Sequence, residues 1–381
     1  MSEIVLALVA GFGFGVFFQK GRICYASALS DFFLFRSSRV GGGILLATLL
    51  TTLPWSGAYL LGGETGFWLP SWGWYSLLGG AVFGIGMILA GACLTSALWR
   101  VASGSGQYAL VLGGVVVGFA LTGLVSPWLA KWYFTPLWLG TGTTGFALGL
   151  PAPVVAVTFV GVVVLVYAAV VGSTTRQFVD DGTDTETGRM AGTWASVIVG
   201  LSGLLEGTRR YVRTRSSGVD VRNVLRRPWD PRTCGLGIAL TATVWMGGSG
   251  VWTVSGPLEQ WIALGTGTIS TDLLGLIPGF AATAPSSVSP AMVVLVGFLA
   301  GAFLSAVANG EFSFEPPSRS VGLAPAGGGV LMGIGAQLAP GCNVTNLYTG
   351  VASLSLHGMI AGGGIVLGAY LSTRILFRRR G

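Results

Sequence analysis

This chain carries very little charge for its length. Only 9% of its 381 residues are charged, whereas an ordinary soluble domain has about 25%. Hydrophobic residues make up 52% of the chain, and its mean hydropathy is +0.73. A soluble fold could not cover so much apolar surface with so few charges. The composition therefore predicts a polytopic membrane protein.

Cysteine and histidine are also scarce. The chain has four cysteines, one histidine, no CxxC pair and no Cys/His cluster. We therefore expect no metal site, no iron–sulfur cluster and no other cofactor. Lysine and arginine (21) exceed aspartate and glutamate (14) only modestly. Such an excess indicates loop charges that set membrane topology rather than nucleic-acid binding.

The apolar segments predict an all-α polytopic membrane protein with about nine transmembrane helices and several re-entrant half-helices. The expected spans are 4–19, 40–62, 74–90, 107–129, 153–171, 234–253, 290–308, 325–339 and 356–377. Other apolar pieces are too short to cross a bilayer and are expected to dip in and return. These pieces are 24–35, 94–102, 132–147, 257–267 and 343–352.

Basic residues cluster in three places, at 20–39, 209–232 and 374–380. Placing all three clusters in the cytoplasm satisfies the positive-inside rule and requires an odd number of spans. The N-terminus is then outside and the C-terminus is cytoplasmic. Segment 190–206 is expected to lie at the cytoplasmic interface, and 180–186 is expected to be a solvated acidic loop.

One stretch occurs twice, each time ending on a cysteine. Residues 79–93 read GGAVFGIGMILAGAC and residues 328–342 read GGVLMGIGAQLAPGC, with eight of fifteen positions identical. A repeat of this kind is typical of transporters built from inverted halves. We expect a single membrane domain (1–381) with a first unit at 1–130, a connecting part at 131–233 and an inverted second unit at 234–381. Cys93 and Cys342 would then approach the membrane midplane from opposite faces.

A glycine precedes each repeated cysteine (Gly91 and Gly341), and a short polar segment follows it. A half-helix beginning there would turn its free N–H groups and positive dipole end towards a cavity, which suits an anion. The expected binding residues are Cys93, Cys342, Gly91, Gly341, Thr95, Ser96, Asn343, Thr345 and Asn346.

Two simpler interpretations stay open for these residues. The hydroxyls and amides could merely cap the half-helices, and an isolated buried cysteine is usually a small apolar residue. Two cysteines at equivalent repeat positions favour a functional role. We expect neutral thiols, which offer a weak S–H donor and a soft sulfur atom.

The other cysteines and the acidic residues give weaker signals. Cys24 ends the first span, and its counterpart in the second unit is expected near residue 271, where there is no cysteine. Cys234 lies at a loop-to-span junction and is expected to be structural. The acids within or beside apolar segments are expected near helix ends, so nothing favours a proton-coupled pump. These acids are Glu64, Glu259, Asp272 and Glu311.

Three motifs resemble the YeeE/YedE family of bacterial and archaeal membrane proteins. They are GRICYASALSDFF around Cys24, GIGMILAGACLTSALWR around Cys93 and GIGAQLAPGCNVTNLYTG around Cys342. The junction RRPWDPRTCGLG, which contains the additional Cys234, is also similar to family sequence. The similarity covers essentially the whole chain except the insert near 172–215.

The resemblance implies an hourglass-shaped, inverted-repeat permease of the cell inner membrane that imports thiosulfate and is not an enzyme. Three cysteines, here Cys24, Cys93 and Cys342, would pass the ion between their S–H groups without a covalent bond. A small cytoplasmic sulfur-carrier protein of the TusA/YeeD type is the implied partner. Two alternatives remain: a thiol–disulfide oxidoreductase using Cys24 and Cys93, and a channel for related sulfur or selenium compounds or small anions.

Overall fold

The computed structural model describes residues 2–61, 68–140, 152–179, 227–249, 251–266, 288–317 and 323–378. Fourteen α-helices and two π-helices lie in these residues. The first eight α-helices are α1 (Ser2–Lys20), α2 (Tyr25–Phe35), α3 (Arg39–Leu60), α4 (Trp74–Ala90), α5 (Leu94–Ala102), α6 (Gly106–Leu124), α7 (Ser126–Leu129) and α8 (Thr135–Leu137). The others are α9 (Ala152–Val179), α10 (Pro231–Ser249), α11 (Ser255–Thr266), α12 (Pro290–Asn309), α13 (Ala324–Leu338) and α14 (Leu356–Arg378). The π-helices are Ala130–Phe134 and Val344–Gly350.

Seven helical segments of the described residues are long and apolar enough to cross a membrane. They are Glu3–Phe35, Arg39–Leu60, Trp74–Ala102, Gly106–Leu124, Pro153–Val170, Pro290–Asn309 and Leu356–Leu376. The other two predicted spans correspond to α10 and to α13, which has only 15 residues. The prediction of an all-α, multi-pass membrane protein is confirmed, and the count of nine spans stays a prediction.

The outer helices expose apolar side chains rather than charges. Val9 on α1 is 63% exposed, and Val157 and Leu165 on α9 are 71% and 58% exposed. Lipid accepts such a surface without cost, and each helix satisfies its own backbone hydrogen bonds. This distribution is the one expected of a protein surrounded by lipid.

The two repeated segments cross one another through their glycines. A Cβ atom on Gly79 of α4 would lie 2.4 Å from the backbone nitrogen of Ala339, and one on Gly335 of α13 would lie 2.4 Å from that of Phe83. The contacts run in reverse order along the two helices, so α4 and α13 are antiparallel. Small residues allow this close backbone approach, which provides packing where lipid supplies no hydrophobic drive.

The neighbouring repeated glycines contact the next long helix of the other half. A Cβ on Gly80 of α4 would lie 2.2 Å from the Ala361 carbonyl of α14, and one on its repeat partner Gly329 would lie 2.2 Å from the Val111 carbonyl of α6. The helix pairs α4/α14 and α13/α6 therefore pack in the same way. The other extensive contacts between long helices pair α1 with α12 and α10, and α3 with α10 and α9.

One predicted half-helix, at 132–147, differs in the structure. Its described residues form part of the first π-helix, the three-residue α8 and strand β2 (Trp138–Gly140). Strand β2 pairs antiparallel with strand β1 (Trp72–Gly73). The cause is local: Gly73 has no Cβ, which would otherwise lie 1.9 Å from the Leu137 carbonyl oxygen. The backbones can therefore approach closely enough to pair.

Several predictions fall outside the described residues. These are the acidic loop at 180–186, the interfacial segment 190–206, the arginine-rich residues 209–226, Glu64, Asp272 and the expected counterpart of Cys24 near residue 271.

Candidate functional site

A helical segment follows each of the three motif cysteines, as the sequence predicts. Helix α2 begins directly after Cys24 and α5 directly after Cys93. After Cys342 the chain is helical through residues 343–352, and most of this segment is the π-helix Val344–Gly350. All three cysteine side chains are fully buried. A π-helix widens the turn and is frequent at functional sites.

The repeated helices end at the two glycines that the sequence indicates. Gly91 ends α4 with φ 65, and Gly341 follows α13 with φ 119. Both values lie in the left-handed region that glycine adopts without steric penalty. Gly91 is exposed, and a Cβ there would meet no atom of the described segments within 4 Å. The chain therefore breaks beside open space two residues before Cys93.

Ser96 and Cys93 cap the start of α5 reciprocally. The Ser96 backbone N–H donates to the Cys93 sulfur over 3.4 Å, and the Cys93 backbone N–H donates to the Ser96 hydroxyl oxygen over 2.9 Å. This is a capping box in which a sulfur replaces the usual side-chain oxygen. Ser96 therefore caps the half-helix, and its role in binding stays a prediction.

The same serine also connects Cys24 to Cys93. The Cys24 thiol donates to the Ser96 hydroxyl over 3.1 Å, and the backbone N–H of this serine is the one that donates to the Cys93 sulfur. The indole of Trp99 on α5 donates to the Ile23 carbonyl over 3.2 Å. Two cysteines separated by 68 intervening residues in the sequence therefore meet at the starts of α2 and α5.

A positive charge lies close to this pair. The Arg100 guanidinium is near enough to Cys24 to interact electrostatically with it. Its carbon lies 5.2 Å from the centre of the Trp99 ring and 4.6 Å from that of Tyr108. The two rings hold the arginine in place through cation–π contacts. An anion near Cys24 would be attracted by this charge.

Cys342 has its own set of polar neighbours. Its backbone N–H donates to the Ser255 hydroxyl at the start of α11 over 3.1 Å, and its sulfur lies 3.4 Å from the Thr345 hydroxyl oxygen. Thr345 in turn contacts the Thr253 hydroxyl at 2.7 Å. Hydrogen bonds therefore connect Cys342 to the residues at the start of α11, just as a hydrogen bond connects Cys24 to Ser96 on α5.

Several buried polar atoms of the predicted site have no partner in the described residues. Both side-chain polar atoms of Asn343, the hydroxyl of Thr95 and the side-chain oxygen of Asn346 are unpaired, although these residues are 0% exposed. The Asn346 amide nitrogen is used, since it donates to the Gly341 carbonyl over 3.0 Å. Buried polar groups are nearly always paired, so these free groups are available to a solute.

Sequence reasoning missed two tyrosines of the site. The buried Tyr25 lies near Tyr348 and near the Cys93 and Cys342 thiols. The Tyr348 hydroxyl lies 2.7 Å from that of Thr51 on α3. Tyr25 also borders a cavity of about 270 Å³ among α2, α3, α9 and α14. The available signal was its position, directly after Cys24 at the start of a half-helix.

Glu259 lies one turn after the start of α11, near a helix end as expected. Its side chain is nevertheless only 7% exposed, which the sequence did not indicate. The side chain of Gln337 on α13 is its hydrogen-bond partner. One oxygen of Glu259 and the side-chain oxygen of Gln337 have no partner in the described residues. The acid therefore lies inside the protein, near the chain that leads to Cys342.

Cys234 lies near the start of α10, where its side chain is packed against the chain at Gly21. A Cβ on Gly21 would lie 2.9 Å from the Cys234 Cβ, and Cys234 is fully buried. The Arg22 guanidinium nearby forms an ion pair of 2.8 Å with Glu311. Cys234 therefore fills space between α1 and α10, and its structural role stays a prediction. All four cysteines are free thiols.

Comparison with known proteins agrees with the motifs. The chain is 28% identical to the thiosulfate transporter TsuA of Spirochaeta thermophila, over 98% of both chains. It is 21% identical to the protein of the same name from Escherichia coli, over 99% of this chain and 96% of the other. It is also 30% identical to the probable transporter YedE of Escherichia coli, over 30% of this chain and 28% of the other. A family model described as Sulphur transport matches residues 20–371. Because that match spans most of the chain, the protein belongs to the sulphur transport family, which is the YeeE/YedE family of its cysteine motifs.

Proposed function

We propose that this protein is an inner-membrane permease that imports thiosulfate. The observation that carries the proposal is the set of three fully buried cysteines, Cys24, Cys93 and Cys342, each directly before a helical segment. The two relatives that align over nearly all of the chain are named thiosulfate transporters. We infer that the protein acts as a carrier rather than as an enzyme.

The proposed mechanism is a relay of weak donors. Thiosulfate offers oxygen atoms that accept hydrogen bonds and a soft terminal sulfur. Neutral thiols donate S–H groups without adding a repelling charge. The free polar atoms of Asn343 and Thr95, together with the N–H groups at the start of α5, supply further contacts. The ion is thus handed between the cysteines without forming a covalent bond.

An inverted repeat gives the relay its geometry. The proposal is supported by the equivalent glycine contacts of α4 with α14 and of α13 with α6, and by the antiparallel crossing of α4 and α13. If the two units are related by an axis in the membrane plane, their cysteines enter from opposite faces. A narrow central passage, open towards both sides like an hourglass, follows from that arrangement.

The direction of transport and the partner complete the proposal. With the basic clusters in the cytoplasm the N-terminus is outside. A small sulfur carrier of the TusA/YeeD type would receive the sulfur on the cytoplasmic side. Cysteine accessibility labelling from each side of the membrane tests the orientation, and co-purification with such a carrier tests the partnership.

The decisive experiment is uptake of labelled thiosulfate into liposomes containing the purified protein. Sulfate, selenosulfate and sulfide serve as competitors and protein-free liposomes as the control. We expect saturable uptake that sulfate inhibits weakly. Equal passage of sulfate and nitrate would instead indicate a non-selective anion channel, and absence of uptake would refute the permease.

A thiol–disulfide oxidoreductase is the second candidate. It is favoured by one observation: the Cys24 and Cys93 sulfurs both contact the same residue, Ser96. The absence of a CxxC motif counts against it. Mass measurement of the thiols during turnover separates the two functions, because only the oxidoreductase forms a Cys24–Cys93 disulfide.

A further inference from the structure

Glu259 is a buried acid that the thiol relay does not use. It lies in the re-entrant helix α11 and is 7% exposed. One of its carboxyl oxygens has no partner in the described residues. Its hydrogen-bond partner is the Gln337 side chain of α13, which is neutral. Burying a carboxylate away from water without a cation destabilises the folded protein. A buried acid of this kind is therefore expected to have a functional role.

In the part of the chain that the structure describes, the helices packed against α11 hold no charge that could neutralise Glu259. Helices α6 and α12 pack against α11, and α13 supplies Gln337. None of these three helices contains Asp, Glu, Lys, Arg or His. The titratable groups on or next to them are Tyr108 of α6, Cys342 beyond α13 and Glu311 two residues beyond α12, which is paired with Arg22. A proton is therefore the simplest partner for this carboxylate.

The acid lies close to the third cysteine of the proposed pathway. Ser255, at the first position of α11, accepts the Cys342 backbone N–H over 3.1 Å. Residues four apart on a helix share one face, so Glu259 is one turn from Ser255 on that face. Gln337 precedes Cys342 in the same repeated segment. An anion at Cys342 would thus lie within reach of the electric field of Glu259.

We propose that Glu259 binds a proton that enters together with thiosulfate, so that import is proton-coupled. This inference rests on the proposed function and identifies the proton gradient as the driving force for thiosulfate uptake. An anion beside the carboxyl favours the protonated form, and by reciprocity a protonated Glu259 favours the anion. The proton is taken up from the outside with the ion and is released to the cytoplasm with it. An inside-negative potential opposes entry of a dianion, and one proton offsets part of that charge.

The test compares wild type with Glu259→Gln in liposomes at zero membrane potential. The glutamine keeps the shape and can still contact Gln337 but cannot exchange a proton. Glu315→Gln, at an exposed acid in the segment after α12, is the matched control. For wild type and Glu315→Gln, an outside-acid gradient of about one pH unit should raise thiosulfate accumulation about tenfold for each coupled proton. A trapped pH dye should report acidification that requires thiosulfate.

For Glu259→Gln we expect thiosulfate exchange down its own gradient to persist, while the pH effect and the acidification disappear. Retention of both would overturn the proposal. Thiosulfate uptake by wild type without proton entry, or driven by a sodium gradient instead, would also overturn it and would leave the permease function intact. Failure of wild type to take up thiosulfate would remove the function and this inference together.

A second variant covers the case in which Glu259→Gln does not fold. Gln337→Ala keeps the acid but removes the amide donor to it. The pH of half-maximal uptake should then move upward, because the carboxylate loses a stabilising hydrogen bond. An unchanged pH profile in Gln337→Ala would contradict the assignment to Glu259.

Discussion

The Cys24 thiol donates a hydrogen bond to the Ser96 hydroxyl, 3.1 Å away, across 72 positions of the sequence. Ser96 is also the residue that caps α5 together with Cys93. One hydroxyl therefore positions two cysteines of the proposed pathway. The hydroxyl that holds them is itself uncharged.

Replacing the pathway thiols tests the relay directly. We expect Cys93→Ala and Cys342→Ala each to lower thiosulfate uptake by about tenfold to hundredfold, because a hydrogen bond to a charged group is worth about 1.5–3 kcal/mol. Cys234→Ala, at the buried contact with Gly21, is the matched control and should retain uptake. Growth on thiosulfate of cells lacking other importers gives the readout. Growth of both pathway variants at the parental rate would refute the thiol mechanism.

Ser96→Ala should affect stability and uptake together. The variant loses the reciprocal cap of α5, which costs about 0.5–2 kcal/mol, and leaves the Cys24 thiol without its acceptor. Ser103→Ala is the control, since the Ser103 hydroxyl donates to the Trp99 carbonyl over 2.9 Å at the other end of α5. Thermal unfolding in detergent and liposome uptake give the two readouts. Normal uptake by Ser96→Ala would show that positioning of Cys24 is unimportant.

Asn343→Leu should separate stability from function. Both polar atoms of the Asn343 side chain are buried without a partner among the residues that the structure describes. Their removal therefore costs no hydrogen bond there and relieves a desolvation penalty of about 1–3 kcal/mol. We expect an unchanged or raised unfolding temperature together with a loss of uptake. Asn346→Leu is the contrast, because it loses the bond to the Gly341 carbonyl and should unfold at a lower temperature. A destabilised Asn343→Leu protein with normal uptake would contradict this role.

Two glycines of α6 test the tight packing against α13. A Cβ on Gly118 would lie 2.3 Å from the Val330 carbonyl oxygen, whereas one on Gly113 would meet nothing within 4 Å. Gly118→Ala should destabilise the protein by about 1–3 kcal/mol through overpacking. Gly113→Ala should be neutral or stabilising by up to about 1 kcal/mol through helix propensity. Thermal unfolding of the two variants provides the comparison, and equal unfolding temperatures would argue against the close contact.

The helix boundaries were largely predictable because the breaks have local causes. Gly91 and Gly341 each precede a cysteine, and their positive φ values are a backbone property that glycine favours. The division of the apolar segments by length into full spans and half-helices stays a prediction. Conversely, the predicted half-helix at 132–147 depended on composition alone, and the pairing of Gly73 with Trp138 could not be read from either segment by itself.

The contacts between segments could not be predicted, since they depend on packing across the chain. The counterpart of Cys24 was expected near residue 271 because the offset between the two repeated segments was applied to the rest of each unit. The helical piece after α10 instead begins at Ser255, directly after Val254. The chain from Thr266 to Pro290 is far longer than that from Phe35 to Arg39, so one offset does not hold across both units. The burial of Glu259 was missed for a related reason, because its neighbour Gln337 is distant in sequence.

The crossing of α4 and α13 also limits how the protein can move. Where backbone touches backbone at Gly79 and Gly335, there is no side chain that could rotate aside if one helix slid along the other. Carbonyl groups would then collide with α-carbons, as in any close-packed interior. The two long helices are therefore held rigidly at their crossing and cannot slide along one another. We expect the short helical segments that follow them, rather than the long helices, to move when an ion passes.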